Sequence, residues 1–127
     1  MSALIYVALG GAIGASARHV LGGAVMRMSG PDFPYGTMTA NILGSFLMGV
    51  LVAWLAARAG TDSAVRLFLG VGLLGGFTTF SAFSLEAIML LDKKAYGLFM
   101  TYVGSSVVLS LLALLLGLVI ARKMFAL

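Results

Sequence analysis

A chain of 127 residues that is 61% hydrophobic and 9% charged carries far less charge than the roughly one quarter usual for a soluble domain. Long uncharged runs point to a membrane protein with a single domain over the whole length, 1–127. With no cysteine there is no disulfide, zinc or thiol chemistry, and a single histidine cannot build a metal site alone.

The first expected span runs from about Ala3 to Met28 and is glycine-rich, with Gly10 and Gly14 at the spacing that lets helices approach closely. Its start lacks a basic leader and a clear cleavage site, so it reads as a helix that stays in the membrane rather than a removed signal peptide. A short loop with Pro31, Asp32 and Pro34 leads to the second span, about Gly36 to Ala57, closed by Arg58 to Asp62. The third runs from about Ala64 to Leu91 with an expected break at Gly75–Thr79. After Asp92–Lys93–Lys94 the fourth runs from about Ala95 to Ile120 and ends at Arg122–Lys123. Connections this short force antiparallel neighbours, so the expected fold is an all-α bundle of four transmembrane helices. A bundle this small encloses little space, and a homo-oligomer, most simply a dimer, is expected.

The net charge of +4 does not indicate nucleic acid, because the eight Lys and Arg sit at segment ends rather than on one face. Arg58, Arg66, Arg122 and Lys123 belong to one side of the membrane, and Arg18, Arg27, Lys93 and Lys94 to the other. Basic residues normally set insertion, and four against four leaves almost no bias. That fits dual topology, with copies inserted both ways and paired as an antiparallel dimer. The plainer reading is that a local signal such as Lys93–Lys94 still decides.

Polar groups inside a bilayer are costly and face protein or water. Thr37, Asn41 and Ser45 are four apart on the second span, and Tyr102, Ser106 and Ser110 are four apart on the fourth. Such stripes serve either as interhelical glue or as two walls of a path. Amide and hydroxyl donors without a carboxylate suit an anion better than a cation. Phe80 and Phe83 share a face, and a ring edge is positive enough to touch an anion weakly; by spacing alone they read as packing. Unwound backbone at membrane depth is tolerated only inside protein or along a cavity, and its carbonyls can bind Na⁺. Gly75–Thr79 is therefore a candidate cation site. Arg18 either raises the anion concentration at a vestibule or reaches to lipid headgroups. Glu86 fits a pathway mouth or an ion pair better than the midplane, and His19 reads as structural.

Three blocks, GGAIGASAR (Gly10–Arg18), GTMTANILGSFLMG (Gly36–Gly49) and GLLGGFTTFSAF (Gly72–Phe83), make the chain resemble the Fluc or CrcB family of small fluoride channels over nearly its whole length. The resemblance implies an antiparallel dual-topology homodimer in the bacterial cytoplasmic membrane, giving passive fluoride export and fluoride resistance. It implies two fluoride pathways around a central structural Na⁺ held by backbone carbonyls, here Gly75 and Thr78. The family's pore rings fall on Phe80 and Phe83, its pore amide on Asn41, and its fourth-span hydroxyls on Ser106 and Ser110, with Tyr102 nearby. Arg18 matches the basic residue that closes the first block, while Ala82 stands where the family often has Thr. Met38 and Ala40 replace larger aliphatics.

The nearest rival is a proton-coupled small multidrug exporter, a carboxylate-centred design with a Glu inside its first helix. This first helix has no acid. A purely structural or assembly subunit is a second alternative. No nucleophile–base set or metal cluster suggests an enzyme.

Overall fold

In a computed structural model, residues 2–58 and 63–125 are described. They form α1 (Ser2–Ser29), α2 (Tyr35–Ala57), α3 (Ser63–Val65), a π-helical segment (Arg66–Leu74), α4 (Gly75–Phe77), α5 (Ser81–Asp92) and α6 (Tyr96–Met124), with no strand among the described residues. Four stretches are long and apolar enough to cross a membrane: α1, α2, the third span Ser63–Asp92, and α6. Even α2, the shortest at 23 residues, measures about 35 Å at the α-helical rise and exceeds a hydrocarbon core of about 30 Å. The end of the second connection, residues 59–62, lies outside the described residues.

Turn chemistry separates the spans. Gly30, at φ +86°, ends α1 in the left-handed conformation that glycine adopts without penalty, and its N–H bonds back to the Met26 carbonyl at 2.9 Å. Pro31 and Pro34 then prevent the helix from resuming until Tyr35. After α5, Lys94 takes φ +59° and the Ala95 N–H closes on the Leu90 carbonyl at 3.0 Å.

Close packing rests on bare backbone rather than on large side chains. Without water between them, spanning helices associate by such packing. A Cβ on Gly14 would collide with the Leu73 carbonyl, one on Gly72 would lie 2.9 Å from the Val7 carbonyl, and one on Gly76 would lie 2.8 Å from the Gly11 carbonyl. Gly10–Gly14 on α1 thus mate with Gly72–Gly76 on the third span. Gly49 on α2 and Gly117 on α6 do the same, each set against the other helix's backbone at Leu114 and Phe46. The buried aromatic core is small: Phe33, Phe83 and Tyr102, with Ala87 and Leu90.

Candidate functional site

The third span loses its helical bonding over residues 78–80. The sequence expectation placed the change at Gly75–Thr79, but Gly75 is helical (φ −62°, ψ −40°). Thr78 is the first extended residue (φ −89°, ψ 158°), and Phe80 is again in the right-handed region. The turn falls at the threonines, not the glycines: the Thr78 hydroxyl adds a bond to the turn before it, and the Thr79 hydroxyl replaces a carbonyl lost to the turn after it. Thr78 Oγ1 donates to the Leu74 carbonyl at 3.1 Å, beside the Thr78 N–H at 3.0 Å. Thr79 Oγ1 accepts the Ala82 N–H at 3.1 Å and so caps α5.

Asn41, reaching over from its place on α2, completes the repair. Its Oδ1 accepts the Thr79 N–H at 2.7 Å and its Nδ2 donates to the Thr79 carbonyl at 2.9 Å. Gly44, one turn on, has no side chain to oppose the Thr78 methyl or the Phe77 ring. These substitutions have a second consequence. In an unbroken helix the Thr79 N–H would bond Gly75 O, the Phe80 N–H Gly76 O, and the Ala82 N–H Thr78 O. Thr79 N–H and Ala82 N–H now bond elsewhere, so the Gly75 and Thr78 carbonyls are released. The Gly76 carbonyl instead accepts Arg18 Nε at 3.3 Å.

A groove of about 440 Å³ runs beside this break. Its polar lining comes from Asn41, Ser45, Thr78, Thr79, Ser106 and Ser110, and it is also lined by Gly75, Phe80 and Phe83. Most of the expected site residues thus meet in one place. No carboxylate lines it. The Ser106 hydroxyl is buried without a hydrogen-bond partner. The Phe80 and Phe83 rings are 5.5 Å apart and tilted by 45°; Phe83 is buried whereas Phe80 is 76% exposed.

Three expected site residues lie elsewhere. Thr37 and Arg18 line a second, smaller cavity of about 200 Å³ with His19 and Glu86. There Thr37 Oγ1 donates to Glu86 Oε1 at 2.5 Å. Tyr102 is fully buried, its ring 5.2 Å from Phe83 and edge-on to Phe33 at 5.5 Å. Its hydroxyl lies near Thr37 and Glu86 but makes no hydrogen bond of good geometry. The two stripes therefore face each other only in part: Asn41 and Ser45 share the groove with Ser106 and Ser110, while Thr37 and Tyr102 pack toward Glu86. Thr79 is the end of the break expected from the sequence, but its capping and clamping roles are not marked there, because Ala82 stands where a capping box would carry Glu or Gln.

Apolar helices of spanning length, packed backbone to backbone beside a groove of hydroxyls, amide and aromatic rings, define a small multi-pass membrane protein with a polar groove where one span loses its helical bonding. Residues 5–118 match the family described as CrcB-like protein, Camphor Resistance (CrcB), and the chain belongs to that family. It is 54% identical over 127 residues to the fluoride-specific ion channel FluC of Caulobacter vibrioides, covering 99% of this chain and 100% of the relative. The protein of the same name from Phenylobacterium zucineum is 53% identical with the same coverage. That from Agrobacterium fabrum is 49% identical over 119 residues, 94% of this chain and 95% of the relative.

Proposed function

We propose that the chain is a channel for fluoride, exporting it passively through two pathways of an antiparallel, dual-topology homodimer with a central Na⁺. The observation that carries this reading is a groove of about 440 Å³ among the spanning stretches that is lined by an amide, hydroxyls and two Phe rings but no carboxylate. The relatives' name supplies the ion. Fluoride is small and holds water tightly, so it leaves water only where close donors replace it. Candidates are the unpartnered Ser106 hydroxyl, the second N–H of Asn41, and the Ser45 and Ser110 hydroxyls. The ring edges of Phe80 and Phe83 add weak contacts that do not trap the ion. A negative-inside potential drives an anion outward with about 2.3 kcal/mol per 100 mV, so ATP is not needed. In a bacterium the protein would act in the cytoplasmic membrane and confer fluoride resistance.

A second copy is supported by what one chain leaves open. Phe80 is 76% exposed beside the released carbonyls. Backbone oxygens of an unwound segment are the ligands that suit Na⁺, and Gly75 and Thr78, whose carbonyls are released, both line the groove. Among the described residues this pair is what the groove offers from one chain; a two-fold axis would double it, with the cation between the protomers. A bound Na⁺ would supply fixed positive charge that lowers the barrier to an anion.

The deciding test uses purified protein in liposomes loaded with potassium fluoride, with valinomycin carrying K⁺. Fluoride efflux without comparable chloride efflux is expected. Absence of fluoride efflux, or equal chloride efflux, overturns the reading. Drug-driven proton movement would favour an exporter, for which no observation here speaks, since α1 holds no carboxylate and Glu86 is bonded to Thr37.

A further inference from the structure

We infer that Arg18 is a positioning residue whose Nε–H holds the Gly76 carbonyl, and so decides which carbonyls at the end of α4 remain free for a cation. Gly75, Gly76 and Thr78 all lose the ladder donor that an unbroken helix would give them. Gly75 and Thr78 line the groove; Gly76 does not. The Gly76 carbonyl instead takes Arg18 Nε at 3.3 Å.

The placement follows from α1. Gly11, Ala15 and Arg18 lie one turn apart on one face. A Cβ on Gly76 would lie 2.8 Å from the Gly11 carbonyl and 3.3 Å from the Ala15 N. Gly76 is thus pressed against α1 from one side and bonded by Arg18 from the next turn. Among the described residues Arg18 forms no ion pair, although Glu86, whose carboxyl accepts from Thr37, lines the same cavity. A cation at the C-terminal end of α4 also complements the partial negative charge there. The donating atom is Nε, in mid-side-chain, so the contact depends on where a donor sits along the chain and not only on charge.

That distinction makes the inference testable with two substitutions. In Arg18→Gln the amide nitrogen occupies the same position along the side chain as Nε, without the charge. In Arg18→Lys the charge is kept, but a methylene stands where Nε was. The flux arm rests on the fluoride-channel reading, whereas the exchange arm does not. Amide hydrogen exchange over residues 76–80 of the purified protein is expected to be about tenfold faster in Arg18→Lys and within about threefold of the unsubstituted protein in Arg18→Gln. Fluoride efflux should follow the same order, unchanged in rank between low and high ionic strength. The opposite rank overturns the inference, and so does equal loss or no loss in both. A low-salt defect in Arg18→Gln that vanishes at high salt would make Arg18 an attractor of anions and overturn it too. Should either variant fail to fold, the unsubstituted protein still decides. Its Arg18 Nε–H should exchange slowly with water by NMR, and fast exchange refutes the bond. If fluoride efflux is absent from the unsubstituted protein, the functional reading falls while the exchange arm still stands or fails alone.

Discussion

Asn41 commits both ends of its amide to the backbone of one residue, accepting from the Thr79 N–H and donating to the Thr79 carbonyl. It is therefore a structural clamp that also lines the groove, and the clamp and the proposed donor role make different demands. Asn41→Asp keeps an acceptor for the Thr79 N–H but sets a carboxylate against the Thr79 carbonyl and against an incoming anion. Fluoride efflux, followed with a fluoride electrode, should fall by at least about tenfold; undiminished efflux removes Asn41 from the path. At Thr37 the demand is simpler. Thr37→Val leaves the half-buried Glu86 carboxyl without its donor, and thermal unfolding in detergent should show a loss of about 1–3 kcal/mol. Thr37→Ser should restore most of it, since only the hydroxyl is needed.

Among elements, the glycine seams carry the clearest expectation. Gly14→Ala would drive a methyl into the Leu73 carbonyl, and Gly49→Ala into the Leu114 carbonyl, both fixed backbone atoms. Each should cost about 1–3 kcal/mol in the unfolding measurement. Gly22→Ala, whose added Cβ meets nothing within 4 Å, should cost little by comparison. The Gly10–Gly14 half of the first seam was legible because its spacing alone marks close approach. Its mates, Gly72 and Gly76, read only as parts of a broken stretch, since nothing in a local window says what lies opposite. For the same reason the break could be anticipated but not bounded. Its limits depend on the backbone of Thr79 meeting the amide of Asn41, 38 positions away in the chain. The groove's hydroxyl rows were visible as spacing, yet Thr37 and Tyr102 left them because Glu86 and the Phe33–Phe83 aromatic cluster, from other parts of the chain, drew them away. The π segment Arg66–Leu74 had no local signal at all.

At the scale of the whole molecule, the balance of four basic residues on each side bears on how copies meet. If the working unit contains both orientations, removing charge from one side must starve it of one partner. Lys93→Gln with Lys94→Gln leaves four against two, and Arg122→Gln with Lys123→Gln leaves two against four. Each double variant expressed alone should give strongly reduced fluoride efflux from cells, and expressing the two together should recover it. Full efflux from either alone would show that a single orientation suffices.

The π segment ties segment length to direction. Arg66–Leu74 closes wider turns than the α-helix on either side, and the chain leaves it immediately before the released carbonyls. In ordinary α-helix each residue advances the chain about 100° around its axis. Gaining or losing one amino acid in this stretch would therefore act as a dial: the third span would stay about as long, while its oxygens swung away from the groove toward α1 or the lipid.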